Sequence, residues 1–329
     1  MAFQNQWIAF FKRYGLLMVL ILECAYFSCF TARFASVDNI FNVLRQVAMT
    51  GIISIGMTFV MITGGIDLSV GSIAGMSVLS CALMLVKGIH PVLACAISVT
   101  LSVLVGALNG WLVAHMELPA LIATLGTETA LRGLVYISTN ASPVFGFTES
   151  FRVLGQGYVF GVIPIPVLIA GVTLVIAWIY INMTTLGRYT YAVGGNEEVA
   201  RLSGISVRKV KYITYMISGF CAGLAGIILL SRLFSGQPRA GLNYEMEAIT
   251  AVVLGGVSVS GGHGRLSGVI IGVLIMGVLS NGMIMLGVNE YWQMFLRGTV
   301  LIIAVCIDIR TGRSVGKRKK SNLSVVTDA

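Results

Sequence analysis

Charge is what this sequence has least of. Among 329 residues there are 13 Asp or Glu and 22 Lys or Arg, 11% in all, where soluble domains carry about 25%. A soluble fold of this length cannot hide such a deficit. Histidine is scarcer still: His90, His115 and His263 fall near the ends or breaks of apolar runs and form no ligand set. The six cysteines, Cys24, Cys29, Cys81, Cys95, Cys221 and Cys306, form no CxxC pair and lie in or beside apolar runs. They read as reduced, small apolar packers, with no metal or disulfide role. Enzyme motifs are missing too. Gly316-Lys317 is followed by Arg318 in a basic tail and lacks the glycine-rich loop of a nucleotide site. No catalytic residue, no metal site and no cofactor is expected in this chain. The net charge of +9 sits in short loops and at the ends, the arrangement of positive-inside membrane proteins and not of nucleic-acid binders.

What the chain has instead is apolar sequence, 57% of residues, and 39 glycines. In lipid only helices or closed barrels satisfy their own backbone. Barrels alternate apolar and polar residues; here the apolar runs are continuous and near span length, which predicts an all-α polytopic membrane protein. Spans are expected over roughly Tyr14–Phe34, Val43–Ile62, Leu68 to the residue before Lys87, Pro91–His115, Pro119–Thr139, Val162–Met183, Tyr212–Leu230, Leu266–Leu286 and Tyr291–Ile309. A further run, Ala248–Val259, is too short to cross a core of about 30 Å. It must be a half helix, or draw on Tyr244 to Glu247. Loops are expected around Asp38, Asn39 and Asn42, over 140–161, and over 231–247. The total is about ten transmembrane helices, some of them broken, in a single domain spanning 1–329.

Orientation follows from charge. Lys12 and Arg13, the segment 186–211 and the basic tail 310–329 are expected in the cytoplasm, both termini with them. Lys12 and Arg13 before an apolar run resemble a signal peptide, but the run is long, carries Glu23 and lacks a clear A-x-A site; an uncleaved first span is expected. Ala48–Ile53 echoes Ala248–Val253, each before a Gly-Gly break. Paired interrupted helices point to a transport path; convergence of small apolar residues explains the echo equally well.

The polar stretch Leu186–Lys211 stands apart from the spans on either side. Asn196 can cap a helix with Glu197 and Glu198 in its first turn, and Gly204 can end it. A membrane protein that offers the aqueous phase one short helix, flanked by Arg188, Arg201, Arg208, Lys209 and Lys211, is built to receive a soluble motor. Gly195, Asn196, Glu197, Glu198, Arg201, Ser203 and Gly204 are the residues expected to couple to it. Gly64, Gly65, Asp67 and Ser69, with Gly261 and Gly262, mark helix breaks or the translocation path. Asp67 can cap the third span or line the pathway. Glu128 and Arg132 are four residues apart and can form an ion pair on one face or contact substrate. Glu23 can be solvated near an interface, and Glu245 and Glu247 can favour the N-terminus of the short eighth helix. The pairs Gly71/Gly75, Gly106/Gly110, Gly219/Gly223 and Gly268/Gly272 have GxxxG spacing, which predicts close helix packing.

Several runs carry a family resemblance: Gly64-Gly65-Ile66-Asp67-Leu68-Ser69-Val70-Gly71-Ser72, Leu186-Gly187-Arg188-Tyr189, Gly194-Gly195-Asn196-Glu197, Arg201-Leu202-Ser203-Gly204-Ile205 and Ala251-Val252-Val253-Leu254-Gly255-Gly256. Together they resemble the ribose-type sugar permeases of ABC importers, from about Asp38 to Asp308. Asn140-Ala141-Ser142-Pro143 and Gly236–Gly241 also look like the ribose branch. The resemblance implies a type II ABC importer permease in the bacterial plasma (inner) membrane. It implies a dimer with a second permease copy, identical or related, and cytoplasmic ATP-binding cassette ATPase subunits holding ATP and Mg. Outside, a periplasmic or lipid-anchored sugar-binding protein would deliver ribose or a similar monosaccharide. The family's coupling segment matches Gly194–Val207 here. Two other readings stay open: an ion-coupled secondary transporter, for which Asp67 and the Glu128/Arg132 pair are the only relay candidates, and a structural membrane protein without transport.

Overall fold

The computed structural model describes the backbone of residues 2–327 and the side chains of residues 14–309. Lys12, Arg13 and the side chains of the tail from Arg310 lie outside the described set. In chain order the helices are α1 (Ala2–Phe30), α2 (Val37–Ile62), α3 (Val70–Val86), α4 (Pro91–Ala114) and α5 (Ala120–Thr139). A short 3-10 helix (Glu149–Arg152), α6 (Val153–Gln156) and the strands β1 (Tyr158–Val159) and β2 (Ile163–Pro164) follow. Then come α7 (Ile165–Met183), α8 (Thr185–Gly195), α9 (Glu197–Leu202), α10 (Val207–Leu233), α11 (Tyr244–Leu254), α12 (Leu266–Met285) and α13 (Glu290–Thr327).

Seven helices among the described residues are long and apolar enough to cross a membrane: α2, α4, α5, α7, α10, α12 and the Glu290–Ile309 part of α13. Tyr14–Phe30 of α1 and Val70–Val86 of α3 are apolar but shorter. The half helix is α11; its 11 residues reach about 16 Å, half an apolar core. It draws on Tyr244 to Glu247 and stops at Leu254, earlier than the apolar run suggests, because the chain turns at Gly255-Gly256, the second at φ +84°.

Local capping explains where boundaries depart from hydropathy. The Ser36 hydroxyl accepts from the Asn39 amide, so Asp38, Asn39 and Asn42 form the first turns of α2 and not a loop. There the Asn39 and Asn281 side-chain amides exchange hydrogen bonds at 2.9 and 3.0 Å, tying α2 to α12. The region 140–161, expected as loop, contains the short helices and β1; its β1–β2 hairpin, in which Tyr158 faces Pro164, takes up the first residues of the span expected from Val162. Val144 bridges to Gly236, and the Ser231 hydroxyl bonds both Phe151 O and Gly155 N, so this region is fastened to the end of α10.

Burial grades the helices from centre to rim. α2 and α10 are each 72% buried over their most apolar window, against 17% for α7 and 11% for α13, so the first two form the core and the last two its outer wall. α4 packs on α10 at its glycines: a Cβ on Gly219 would stand 3.1 Å from Gly106 Cα, and one on Gly106 would strike the Tyr215 carbonyl. Here GxxxG spacing does bring two backbones together. Gly71 and Gly75 differ. They face the turn at Ala240-Gly241 and the side chains of Glu245 and Arg132, not another helix backbone.

Candidate functional site

The polar stretch after α7 folds as two short helices and the start of α10, where one short helix was expected. The Thr184 hydroxyl opens α8 by accepting from the Gly187 amide at 3.1 Å. Asn196 then caps α9, its carboxamide oxygen accepting from the Val199 amide at 3.0 Å with Glu197 and Glu198 in the first turn. The end is a paired closure: the Gly204 amide donates to Arg201 O, and the Ile205 amide to Ala200 O, both at 3.0 Å. Gly204 sits at φ +81°, where a side chain is strained. Val193, Ala200, Val207 and Val210 form a small apolar core that holds α8, α9 and the first turn of α10 as one unit. The Lys211 ammonium reaches Glu197 at 2.7 Å and the Arg201 guanidinium reaches it at 3.5 Å. On the outside of α9, Leu202 is 83% and Val199 57% exposed, apolar contacts on an otherwise polar helix.

Both Gly-Gly breaks meet this unit. The Gly262 amide donates to Ile62 O at the end of α2, 2.9 Å away. A Cβ on Gly261 would lie 2.8 Å from Gly64 N, and one on Gly194 would lie 2.6 Å from Gly262 N. The Tyr191 hydroxyl on α8 donates to Gly264 O at 2.9 Å. Thus Gly194-Gly195, Gly64-Gly65 and Gly261-Gly262, which lie far apart in sequence, form one backbone-on-backbone junction. The two echoing stretches, Ala48–Ile53 and Ala248–Val253, lie on packed neighbours, α2 and α11, that both run towards it. Beside the junction opens a cavity of about 800 Å³, lined by Gly64, Gly65, Tyr215, Glu117, Glu197, Arg201, Arg208, Lys211 and Ser260.

Asp67 does not line that cavity. It is fully buried just ahead of α3, which begins at Val70 and not at Leu68, with Ser69 in the capping position. Its Oδ1 accepts from Ser69 N at 3.1 Å and Ser69 Oγ at 2.6 Å, and its Oδ2 accepts from Ser218 Oγ at 2.7 Å. The network continues: Asn109 Nδ2 donates to Ser69 Oγ, and Thr127 Oγ1 donates to Asn109 Oδ1. Asp67 therefore joins the entry of α3 to α4, α5 and α10. A buried carboxylate is tolerated when donors surround it.

Glu128 and Arg132 do not pair. Arg132 is 9% exposed and turns to Ala240 O, 2.8 Å from its Nη1, leaving Nε and Nη2 without hydrogen-bond partners. The Gly71/Gly75 groove seats this guanidinium together with Glu245, whose Oε2 also lacks a partner. Glu23, expected to be solvated, has Oε2 buried and unpartnered. Among the described residues, the ion pair that does form within the spans is Glu247 with Arg297, joining α11 to α13. Sequence reasoning missed it, since 50 residues separate the partners.

The comparisons agree with the geometry. The family model described as "Branched-chain amino acid transport system / permease component" matches residues 39–305. The ribose import permease protein RbsC of Bacillus subtilis is 47% identical over 82% of this chain and 84% of its own length. The protein of the same name from Escherichia coli is 44% identical over 93% of this chain and 95% of its own. The L-arabinose transport system permease protein AraH of Escherichia coli is 38% identical over 90% of each. No solved structure matches. The extent and identity of these matches, on a chain of apolar helices, settle its membership: it belongs to the family of branched-chain amino acid transport system / permease components.

Proposed function

We propose that this chain is the membrane-spanning permease subunit of an ATP-driven importer of ribose or a closely similar monosaccharide. One observation carries the reading most: similarity to ribose import permeases, at 44–47% identity over most of the chain, exceeds that to the L-arabinose permease at 38%. It works in the bacterial plasma membrane as a type II importer permease, with both termini in the cytoplasm. Ten crossings meet that requirement. The seven long spans, α1 and α3 supply nine, and α11 with the turns of residues 255–265 supplies the tenth.

The chain has no nucleotide site in its sequence, so ATP and Mg bind in separate ATP-binding cassette subunits. These dock on α8 and α9, where Leu202 and Val199 offer apolar contacts and Asn196, Glu197, Glu198, Arg201 and Ser203 the polar rim. Movement of α9 passes through the apolar core of the unit to Gly194-Gly195 and from there to both breaks. The ends of α2 and of the 255–265 segment shift together, and the 800 Å³ cavity beside them is the cytoplasmic mouth of the path. A soluble or lipid-anchored binding protein delivers sugar to the opposite end, and a second permease copy completes the pore. Asp67 holds α3, α4, α5 and α10 in register and carries no solute. An ion-coupled mechanism would require a relay of ionisable groups along the path; Asp67 bonds only to serines, and Arg132 to a carbonyl.

The test is uptake of labelled ribose, arabinose and allose by vesicles carrying the chain with its ATPase and binding protein. ATP-dependent ribose uptake that an ionophore leaves untouched is expected. Uptake by the chain alone on an ion gradient would overturn the reading.

A further inference from the structure

At the end of the molecule away from residues 184–211, a cleft of about 440 Å³ opens between α11, the end of α12 and the first turns of α13. That volume falls within the range of small-molecule sites, roughly 300–1,000 Å³. Its walls are mostly apolar, from Met246, Met294 and Leu301. Its polar groups converge: Glu247 and Arg297 are in direct contact, Gln293 Oε1 stands 3.4 Å from Arg297 Nη2, and Thr250, Asn243 and a second carboxylate, Glu290, complete the polar lining. Arg297 Nε has no partner, while Gln293 is anchored by its Nε2 on Val288 O at 2.8 Å. The Thr250 hydroxyl donates to Met246 O at 2.7 Å, which leaves its lone pairs free to accept.

A charged pair between membrane spans is costly. Set in an open cleft, it has a use that a sealed pair lacks. Glu247 and Glu290 repel an anion and Arg297 repels a cation, so a neutral polar molecule suits the site. A carboxylate, a guanidinium, an amide and a hydroxyl together accept from and donate to adjacent hydroxyl groups, while the methionines cover the apolar face of a sugar ring. We propose that this cleft is a weak binding site for a neutral polyol, a monosaccharide with adjacent hydroxyls, at the outer mouth of the path. The proposal deepens the import reading and rests on it for the choice of sugar. A transport path must release what it binds, so the affinity belongs near a Kd of about 1 mM.

The experiment is saturation-transfer difference NMR on the full chain in phosphatidylcholine nanodiscs, with D-ribose and with glycerol 3-phosphate as probes. Ribose is expected to show transfer and glycerol 3-phosphate none. Gln293→Leu should weaken ribose binding about fivefold to tenfold, the loss of one hydrogen bond from a buried site. Met294→Trp, at an exposed position, fills the cleft while leaving all its polar groups in place and should abolish transfer. Ribose transfer that persists in Met294→Trp overturns the site, as does stronger transfer to the phosphate, which would mark a lipid-headgroup site. Uptake by the complete transporter separates the two readings. Wild-type ribose uptake without transfer removes the cleft and keeps the importer. Transfer that Met294→Trp abolishes, in a complex that takes up no ribose, keeps the polyol site and removes the importer.

Discussion

Asp67 shows what a single residue can decide. Its carboxylate takes three hydrogen bonds, from one amide and two hydroxyls, in a fully buried position. Asp67→Ala strands the serine hydroxyls and should cost about 3 kcal/mol, several unmade hydrogen bonds to a charged group. Asp67→Asn keeps an acceptor for Ser69 and gains a donor towards Ser218, so it should fall between. Thermal unfolding of detergent-purified protein checks the order; an unchanged midpoint with lost uptake would make Asp67 a pathway residue instead. Tyr191 offers a second test. Tyr191→Phe removes its bond to Gly264 O, worth about 1 kcal/mol, and should slow uptake more than it lowers yield. Equal losses would mean the contact is merely structural. At this scale the sequence was legible where chemistry is local: Asn196 and Gly204 close α9 through neighbours a few residues away. It was silent on Tyr191 with Gly264 and on Glu247 with Arg297, because partners 73 and 50 residues apart leave no periodic trace. Glu128 and Arg132 misled for the converse reason. Helical spacing allows their pairing, but the Ala240 carbonyl meets the guanidinium first.

Among the elements, α9 and the junction behind it are where the proposed coupling is tested. Pro at 204 cannot adopt φ +81°, because its ring fixes φ near −65°. Gly204→Pro should therefore unwind the end of α9, with wild-type insertion and uncoupled transport. Gly194→Val acts one step further in. Its Cβ would strike the Ile62 carbonyl oxygen and crowd Gly262 N at 2.6 Å, and overpacking of this kind costs about 1–3 kcal/mol or more. The variant should still bind the ATPase, since Gly194 faces Ile62 and Gly262 on the inner side of α8 and leaves the docking residues of α9 untouched, yet lose most uptake. Pull-down alongside uptake at matched expression reads both; loss of ATPase binding would place the junction in the docking surface. The half helix α11 was legible as a short apolar run. Its start at Tyr244, with Glu245 and Glu247 in the first turn, was one of two readings left open by the short run, and the Glu247–Arg297 contact explains how a carboxylate enters a span.

Across the whole molecule, hydropathy and charge placed most of the spans, because lipid leaves the backbone few alternatives. They could not show that both Gly-Gly breaks and Gly194-Gly195 converge, which depends on how α2, α8 and α11 pack. That convergence is the basis of the central claim: α8 with α9 rests on both Gly-Gly breaks of the bundle, and we propose that it moves them together. The most direct test is ATP hydrolysis by the complete transporter in liposomes, with ribose-loaded binding protein, for wild type and Gly204→Pro. The account predicts that ribose stimulates the wild type, and that Gly204→Pro hydrolyses ATP at its basal rate with neither stimulation nor uptake. Stimulation and uptake at wild-type levels in Gly204→Pro would show that the motor drives the permease through some other surface.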